Sequence, residues 1–238
     1  MPERAPGEAT AVIVTGGTGG LGRAVVRLLL EQGARVAVPY RREDEWRAFA
    51  AEAGSDRLFG HAADLADGAK ARGFVDAAVA SLGGLDGVAL VAGGWAGGAR
   101  FEEAPEDEWA RMMRVNLDTA AHVCRAAIPR LAARGGSVVA VGSRGAQTGG
   151  AGMAAYAVSK EALHALVRVL AAENQDRGIR FNAVLPGTID TGANRAAMPG
   201  ADRQRWTSPE AIARTIAFLL SPRSAPVTGA LVPVDGSA

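Results

Sequence analysis

The stretch Thr15-Gly16-Gly17-Thr18-Gly19-Gly20-Leu21-Gly22 decides the fold, because of what lies on either side of it. A short β-rich run, Ala11 to Thr15, precedes the glycines, and an amphipathic helical pattern from Leu21 to Gln32 follows them. The order of strand, glycine-rich turn and helix is the context in which such a turn cradles phosphate groups. Free N–H groups at the start of the helix, and the positive end of its dipole, would face the anion.

Three of the glycines have separate expected roles. Gly16 permits the tight turn, Gly20 lets phosphates approach the backbone, and Gly22 allows the helix to pack closely. A turn with a purely structural role is the alternative, because glycine patterns also occur without a ligand. We predict a dinucleotide-binding turn formed by Gly16, Thr18, Gly19, Gly20, Leu21 and Gly22.

Seven short, mostly apolar runs alternate with helical patterns along the chain. Continuously apolar strands between helices are typical of a parallel sheet that is covered on both faces. We therefore predict an α/β doubly wound three-layer sandwich with a seven-stranded, mostly parallel sheet, and a ligand site at the carboxyl ends of its strands. Ser208-Pro209-Glu210 predicts a further helix start. The predicted strands are Ala11–Thr15, Arg35–Val38, Leu58–His61, Gly87–Val91, Ser137–Val141, Arg180–Leu185 and Ala230–Val234.

Length and charge narrow the function classes. A chain of 238 residues suits one large domain, so we predict a single domain over 1–238, with a flexible polar segment at 1–10. The formal net charge is +1, and no basic run is longer than Arg41-Arg42. This balance disfavours nucleic acid and membrane surfaces as partners and favours a small-molecule substrate.

The cysteine and histidines predict neither disulfides nor metal sites. The one cysteine, Cys124, lies in an apolar helical stretch, so no intrachain disulfide can form and a cytoplasmic location is expected. His61, His122 and His164 fall on different elements, without the spacing of metal ligands. We interpret all three as structural or exposed. No targeting segment or apolar span stands in the sequence.

The end of the second strand bears on the cofactor. A site for NAD normally has an acidic side chain here to bind the ribose hydroxyls, but this strand ends Val38-Pro39-Tyr40-Arg41-Arg42. Guanidinium groups can hold a 2′-phosphate, so we predict that NADP(H) is favoured over NAD(H), with contacts from Tyr40, Arg41 and Arg42. The alternative is that the arginines pair with the acidic residues that follow them at 43–45.

Tyr156 and Lys160 are spaced four residues apart, on one face of a helix expected to begin near Met153. An adjacent ammonium favours the phenolate, so we expect Lys160 to lower the pKa of Tyr156 and bring proton exchange closer to neutral pH. The lysine head can also bind the nicotinamide ribose. This spacing alone also arises by chance in helices.

The order of several motifs resembles the short-chain dehydrogenase/reductase (SDR) family over nearly the whole chain. These motifs are the glycine turn, Asp64-Leu65, Ala92-Gly93, Asn116, Ser143, Tyr156-x-x-x-Lys160 and Pro186-Gly187. The resemblance implies a Rossmann-type fold and a nicotinamide-dependent oxidoreductase acting on CH–OH or C=O groups. It also implies a catalytic set of Asn116, Ser143, Tyr156 and Lys160, in which Ser143 binds the substrate oxygen and Asn116 helps to hold a water chain. A buried, backbone-bonded asparagine is the alternative for Asn116.

The resemblance also extends the cofactor site. In the family, the residues matching Asp64 contact the adenine amino group, and those matching Pro186-Gly187-Thr188 contact the nicotinamide carboxamide. The further cofactor contacts that it implies are Leu65, Ala92, Gly93, Gly94, Tyr156, Lys160 and Ile189.

The loop after the fourth strand departs from the family pattern. The usual Asn-Asn-Ala-Gly is replaced by Leu90-Val91-Ala92-Gly93-Gly94-Trp95-Ala96-Gly97-Gly98, which resembles the loop of dihydropteridine reductases. A second stretch, Leu185 to Thr207, which contains the predicted substrate loop at 191–207, resembles the same enzymes. Trp95 could stack on a flat heteroaromatic ring or only exclude water at the rim. Arg41 and Ser143 differ from those reductases, which favour NADH and lack the serine. The expected substrate contacts are Trp95, Ser143, Tyr156, Asn194 and Trp206.

These patterns favour an NADP(H)-dependent reductase of carbonyl or related substrates, of the 3-oxoacyl-carrier-protein or general ketone type. The alternatives are reduction of quinonoid pterins and, in another class, a non-catalytic dinucleotide-binding sensor or scaffold. By family analogy, helices over 116–131 and 156–174 would contact other subunits, so a homo-oligomer, dimer or tetramer, is expected.

Overall fold

A parallel sheet in the strand order β3-β2-β1-β4-β5-β6-β7 forms the middle layer of the computed structural model, which describes residues 10–236. All the neighbouring pairs are parallel, so the predicted mostly parallel sheet is wholly parallel. The seven predicted strands are confirmed, with bounds that move by at most two residues. The predicted flexible segment lies outside the described residues, except for Thr10. The strands are β1 (Ala11–Thr15), β2 (Arg35–Tyr40), β3 (Leu58–Ala62), β4 (Gly87–Leu90), β5 (Gly136–Val141), β6 (Ile179–Pro186) and β7 (Leu231–Val234).

Helices connect the strands. A π-helical turn, Arg114–Asp118, joins two of them without a break. The predicted start at Ser208 is confirmed, because its hydroxyl accepts the Ala211 N–H at 3.2 Å and caps the last helix. The helices are α1 (Gly20–Glu31), α2 (Glu43–Ala53), α3 (Gly68–Leu82), α4 (Glu106–Met113), α5 (Thr119–Leu131), α6 (Arg144–Thr148), α7 (Ala154–Glu173), α8 (Gly192–Ala197) and α9 (Pro209–Leu220).

Both faces of the sheet are buried, which explains why the strands are apolar throughout rather than alternating. Successive side chains of a strand point to opposite faces. Val12 packs in a core cluster with residues of α1 and α9, while Ile13 packs in a second cluster with residues of α3, α5 and α7. Helices therefore cover the sheet on both sides, as predicted. Among residues 10–236, no helix is long and apolar enough to cross a bilayer.

The strand order reverses between β1 and β4, and this position creates the crevice for a ligand. The chain runs from β1 outward to β3, and then returns to place β4 against the other edge of β1. The Thr15 hydroxyl accepts the N–H groups of Val91 and Ala92, each at 3.0 Å, and so joins the ends of the two strands. The loops that follow β1 and β4 consequently lie side by side.

Candidate active site

A groove of about 740 Å³ opens at the carboxyl edge of the sheet. It brings together most of the predicted cofactor residues, from the four loops that follow β1, β2, β3 and β4. Predicted residues that line it are Gly16, Thr18, Gly19, Gly20, Leu21, Gly22, Tyr40, Arg41, Arg42, Asp64, Leu65, Ala92, Gly93, Gly94 and Trp95. The other predicted site residues, which do not line this groove, are Asn116, Ser143, Tyr156, Lys160, Pro186, Gly187, Thr188, Ile189, Asn194 and Trp206.

The glycine turn has the geometry of an anion site. Gly16 has φ +66°, and a Cβ there would lie 2.9 Å from the backbone of Ala92. A Cβ at Gly22 would overlap the carbonyl oxygen of Gly16. Gly19 caps α1 without any side-chain hydrogen bond, so the first N–H groups of the helix remain available to the groove. The turn therefore fits the pyrophosphate of a dinucleotide.

The two arginines after β2 have different surroundings. Arg42 pairs with Asp44 at 2.7 Å and with Glu45 at 3.2 Å, as the alternative interpretation expects. Arg41 is exposed and lines the groove, and within residues 10–236 it has no hydrogen bond or ion pair. Tyr40 stacks on Trp46 with ring centroids 5.4 Å apart. Arg41 is thus the guanidinium that is free to meet a ligand at this end.

Asp64 and Leu65 form the next part of the groove. Asp64 accepts the Ala66 N–H at 3.1 Å, which closes the turn after β3. The carbonyl oxygen of Leu65 lies 3.0 Å from Nδ1 of His122, on α5. The predicted adenine contacts are therefore held in place by their own loop and by a histidine that packs from the neighbouring helix.

Ser143 and Tyr156 meet beyond this groove. Ser143 follows β5 and is buried, while Tyr156 lies in the first turn of α7 and is half-buried against Met112 and Ala96. The Ser143 side chain lies close enough to the Tyr156 hydroxyl to lower its pKa. Burial nevertheless raises the pKa of Tyr156, and this effect outweighs the lowering by Ser143.

The expectation that Lys160 lowers the pKa of Tyr156 is therefore wrong for this structure. Lys160 is only 5% exposed, and its ammonium donates to the carbonyl oxygen of Val141 at 2.8 Å. Burial lowers the pKa of Lys160 to about 8. The sequence showed the spacing of Tyr156 and Lys160 but not their burial, which dominates the pKa values of both.

Asn116 lies in the π-helical turn and is fully buried. Its Oδ1 accepts the Gly94 N–H at 2.9 Å, and its Nδ2 donates to the Gly94 carbonyl at 3.1 Å and to Ser159 Oγ at 3.0 Å. A Cβ at Gly93 would lie 2.9 Å from Oδ1 of Asn116 and 3.1 Å from Nζ of Lys160. Asn116 therefore ties the loop after β4 to α7, close to the lysine ammonium.

The segment from β6 to α9 approaches the glycine turn, because a Cβ at Gly20 would lie 2.9 Å from Cγ2 of Thr191. Thr207 N–H donates to the Thr188 carbonyl at 2.8 Å, which closes the base of the predicted substrate loop. Within it, Asn194 Nδ2 donates to the Ile189 carbonyl at 2.8 Å, so this amide supports the loop itself. Trp206 is partly buried, with the Arg203 guanidinium 5.9 Å from its ring.

Trp95 and the loop around it lie at the groove. Trp95 is 63% exposed, which suits either a stacking surface or a rim. Gly98 N–H donates to the Gly152 carbonyl at 2.7 Å, so this loop is tied to the segment that leads into α7.

Three neighbours of the site were missed by the sequence reasoning. Arg111 and Arg114 line the groove, three residues apart on the α4 side, and only their helical spacing could have suggested it. His164 accepts the Ser143 N–H on Nε2 at 3.2 Å. No sequence signal links His164 to Ser143, because they lie on different elements. Among the described residues, no group of histidine, cysteine and carboxylate side chains is placed to hold a metal ion.

Comparisons with known proteins agree with this arrangement. A family model described as Enoyl-(Acyl carrier protein) reductase matches residues 16–237. The chain is 34% identical to the cyclic-di-GMP-binding biofilm dispersal mediator protein of Escherichia coli, over 95% of each chain. It is 37% identical to an L-rhamnose 1-dehydrogenase (NAD(P)(+)) of Azotobacter vinelandii, over 94% of each chain.

Solved structures of nicotinamide-binding oxidoreductases are also similar to this chain. A 3-ketoacyl-(acyl-carrier-protein) reductase from Brucella melitensis, complexed with NADH, superposes with a TM-score of 0.87 at 25% identity, over 97% of this chain and 99% of that one. An NADPH-bound short-chain oxidoreductase from Pseudomonas aeruginosa, described as containing an atypical catalytic center, gives a TM-score of 0.86 at 31% identity, over 95% of each chain. The chain therefore belongs to the short-chain dehydrogenase/reductase family of NAD(P)-binding oxidoreductases.

Proposed function

We propose that this chain is an NADP(H)-dependent reductase that transfers hydride between nicotinamide and the carbonyl or alcohol group of a small substrate. The observation that carries the proposal is the placement of the buried Ser143 within reach of the Tyr156 hydroxyl, one helical turn from the buried ammonium of Lys160. Because burial raises the pKa of Tyr156, the phenol stays protonated at neutral pH and can donate its proton.

Each side chain of this set then has a defined task. When bound, the nicotinamide supplies the hydride. The Ser143 hydroxyl orients the substrate oxygen, and Tyr156 gives its proton to that oxygen as negative charge develops there. The Lys160 ammonium would hold the ribose hydroxyls of the bound cofactor. The Asn116 amide holds the Gly93-Gly94 turn against Lys160 through its two bonds to Gly94.

Hydride-transfer assays test this proposal. Oxidation of NADPH and NADH should be followed with ketones, 3-oxoacyl thioesters, quinones and quinonoid pterins. Because one relative is named L-rhamnose 1-dehydrogenase, the reverse reaction should be followed with L-rhamnose and other polyols. Tyr156→Phe should lower the turnover rate by a factor of about 100 or more and should leave the affinity for the cofactor unchanged. Unchanged turnover in this variant would refute the mechanism.

Arg41 supports the preference for NADP(H). No carboxylate follows β2 at the expected position, and the Arg41 guanidinium faces the groove without another partner among the described residues. Arg42 is held by exposed ion pairs, which are weak and can exchange. Arg41→Ala should therefore reduce the ratio of kcat/KM for NADPH to that for NADH by about tenfold. A wild-type preference for NADH would refute the assignment.

Trp95 favours a second candidate, dihydropteridine reductase-like activity. Its ring is 63% exposed at the groove and could stack on a flat heteroaromatic substrate. Under this alternative, quinonoid pterins should be the best substrates of the panel, and Trp95→Leu should raise KM for them while leaving KM for small aliphatic ketones unchanged. If Trp95→Leu changes KM equally for pterins and for aliphatic ketones, Trp95 only excludes water at the rim of the groove.

A non-catalytic sensor or scaffold is the outcome that would replace both candidates. One relative is named for binding cyclic di-GMP and mediating biofilm dispersal, so a binding function occurs among similar chains. Tight NADPH binding without turnover of any substrate would favour it.

We also propose a cytoplasmic homo-oligomer. Val158 and Val169 on α7 are 44% and 52% exposed, and contact with another subunit would cover them. Cys124 is buried and unpaired, as suits a reducing compartment. Sedimentation velocity should show a dimer or tetramer, and a monomer at micromolar concentration would refute the oligomer.

A further inference from the structure

His164 connects Ser143 to the interior of the protein. It lies on α7, one turn after Lys160, and its side chain is completely buried. Nε2 of the imidazole accepts the main-chain N–H of Ser143 at 3.2 Å. On the other side of the ring, Nδ1 lies 3.0 Å from Oε1 of Glu161.

These two partners select one form of the ring. The Ser143 N–H is a donor, so Nε2 must be unprotonated, whereas the Glu161 carboxylate is an acceptor, so Nδ1 must carry the proton. Burial lowers the pKa of His164, although the bond to Glu161 opposes this change. The imidazole is therefore neutral near pH 7, with its proton on Nδ1.

The main chain before Ser143 is packed directly against the same ring. A Cβ at Gly142 would overlap Nε2 of His164 and would also contact Leu185 Cδ2 at 2.5 Å. The Ser143 hydroxyl makes a longer bond, because it accepts the Ala146 N–H at 3.4 Å. The Gly142 N–H donates to the Val184 carbonyl at 2.9 Å, so β6 holds the main chain before Ser143 and His164 holds the main-chain N–H of Ser143 itself.

We propose that His164 is a positioning residue for hydride transfer, and that it orients the Ser143 hydroxyl toward Tyr156 and the substrate by holding the Ser143 main chain. This inference rests on the proposed function. Without the imidazole, the buried N–H of Ser143 would lack an acceptor, and the turn at Gly142 would have space to shift. A displacement of about 1 Å at a reacting group can lower the rate by about 100-fold.

Two substitutions at His164 separate the hydrogen bond from the packing. His164→Leu removes the acceptor, and we expect kcat to fall by about 10- to 100-fold while KM changes less than about threefold. His164→Gln keeps an oxygen that can accept the Ser143 N–H, and kcat should remain within about fivefold of the wild type. His61→Gln is the matched control, because His61 is a partly buried histidine that bonds to Ser81 and lies on β3, at one edge of the sheet and away from Ser143.

A double-mutant cycle tests whether His164 acts through Ser143. Adding His164→Leu to Ser143→Ala should lower kcat no further, because the hydroxyl to be oriented is already absent. If the two losses instead multiply, His164 has only a structural role and the inference is overturned. The proposed function is judged separately, by wild-type turnover and by Tyr156→Phe.

The tautomer gives a second readout, which requires neither turnover nor a variant at His164. Nitrogen NMR of the protein with labelled histidine should show a proton on Nδ1 and none on Nε2 of His164. Because the Leu65 carbonyl selects the same tautomer at His122, the spectrum of His122→Gln assigns the His164 signal. Glu161→Ala is the accompanying variant, because Glu161 is 42% exposed and its removal leaves the core unchanged. Without Glu161, His164 should populate both neutral tautomers. The value of kcat should then fall in proportion to the fraction of His164 that keeps its proton on Nδ1, by about two- to tenfold. A wild-type proton on Nε2, or full activity despite a mixed tautomer, would overturn the inference.

Discussion

Replacing Lys160 with methionine is expected to abolish activity and yet to raise the free energy of unfolding near pH 7. Lys160 is 5% exposed, and burial lowers its pKa from 10.5 to about 8. At about 1.4 kcal/mol for each pKa unit, this corresponds to about 3 kcal/mol lost on burying the ammonium. Methionine removes that loss, but it leaves the Val141 carbonyl without its hydrogen-bond donor, which costs about 1–2 kcal/mol of stability. The net gain is about 1–2 kcal/mol.

The pH dependence of the free energy of unfolding tests whether the buried ammonium of Lys160 causes this difference. Between pH 8 and about 10.5, the unfolded chain binds the lysine proton more tightly than the folded protein. The free energy of unfolding of the wild type therefore receives a contribution that rises with pH in this window, and Lys160→Met lacks it. The advantage of the methionine variant should be greatest below pH 8 and should decline toward pH 10.

Urea unfolding of the cofactor-free proteins, from pH 6.5 to pH 10, measures this difference. The chain has only two lysines, so Lys70→Met provides the control. Lys70 is exposed on α3, and its substitution should give a curve parallel to that of the wild type. With two lysine signals, carbon NMR of the side chains can also titrate Lys160 directly. A constant stability difference across the pH range, or a Lys160 pKa near 10.5, would refute the reasoning.

Three further predictions concern stability and cofactor affinity. Asn116→Leu removes the partners of Gly94 and one partner of Ser159, and urea unfolding should show a loss of about 2–4 kcal/mol; a loss below about 1 kcal/mol would contradict the assigned bonds. Gly93→Ala places a Cβ 3.1 Å from Nζ of Lys160, so we expect the affinity for NADPH to fall by about tenfold or more in a fluorescence titration. The control is Gly73→Ala, which places its Cβ in open space on α3 and should leave the affinity unchanged. Ser208→Ala removes the cap of α9 and should lower the free energy of unfolding by about 1 kcal/mol, with no change in kcat.

The sequence by itself determined the elements and the most recognisable parts of the site. Continuously apolar strands could be identified without coordinates, because burial on both faces of a sheet removes the polar alternation. The glycine turn could be placed because Gly16 needs a positive φ and Gly22 needs close packing, and both requirements are written in local residue types. Tyr156 and Lys160 are neighbours through helix geometry alone.

Only the tertiary structure decided the protonation and support of that site. The pKa of Tyr156 is raised rather than lowered, because the side chain is buried. That burial comes from residues of other elements, such as Met112 and Ala96, which only the fold brings to Tyr156. The bond from Ser143 to His164 spans 21 residues and joins the end of a strand to the middle of a helix. Such contacts follow from how elements pack, and local sequence patterns carry no record of them.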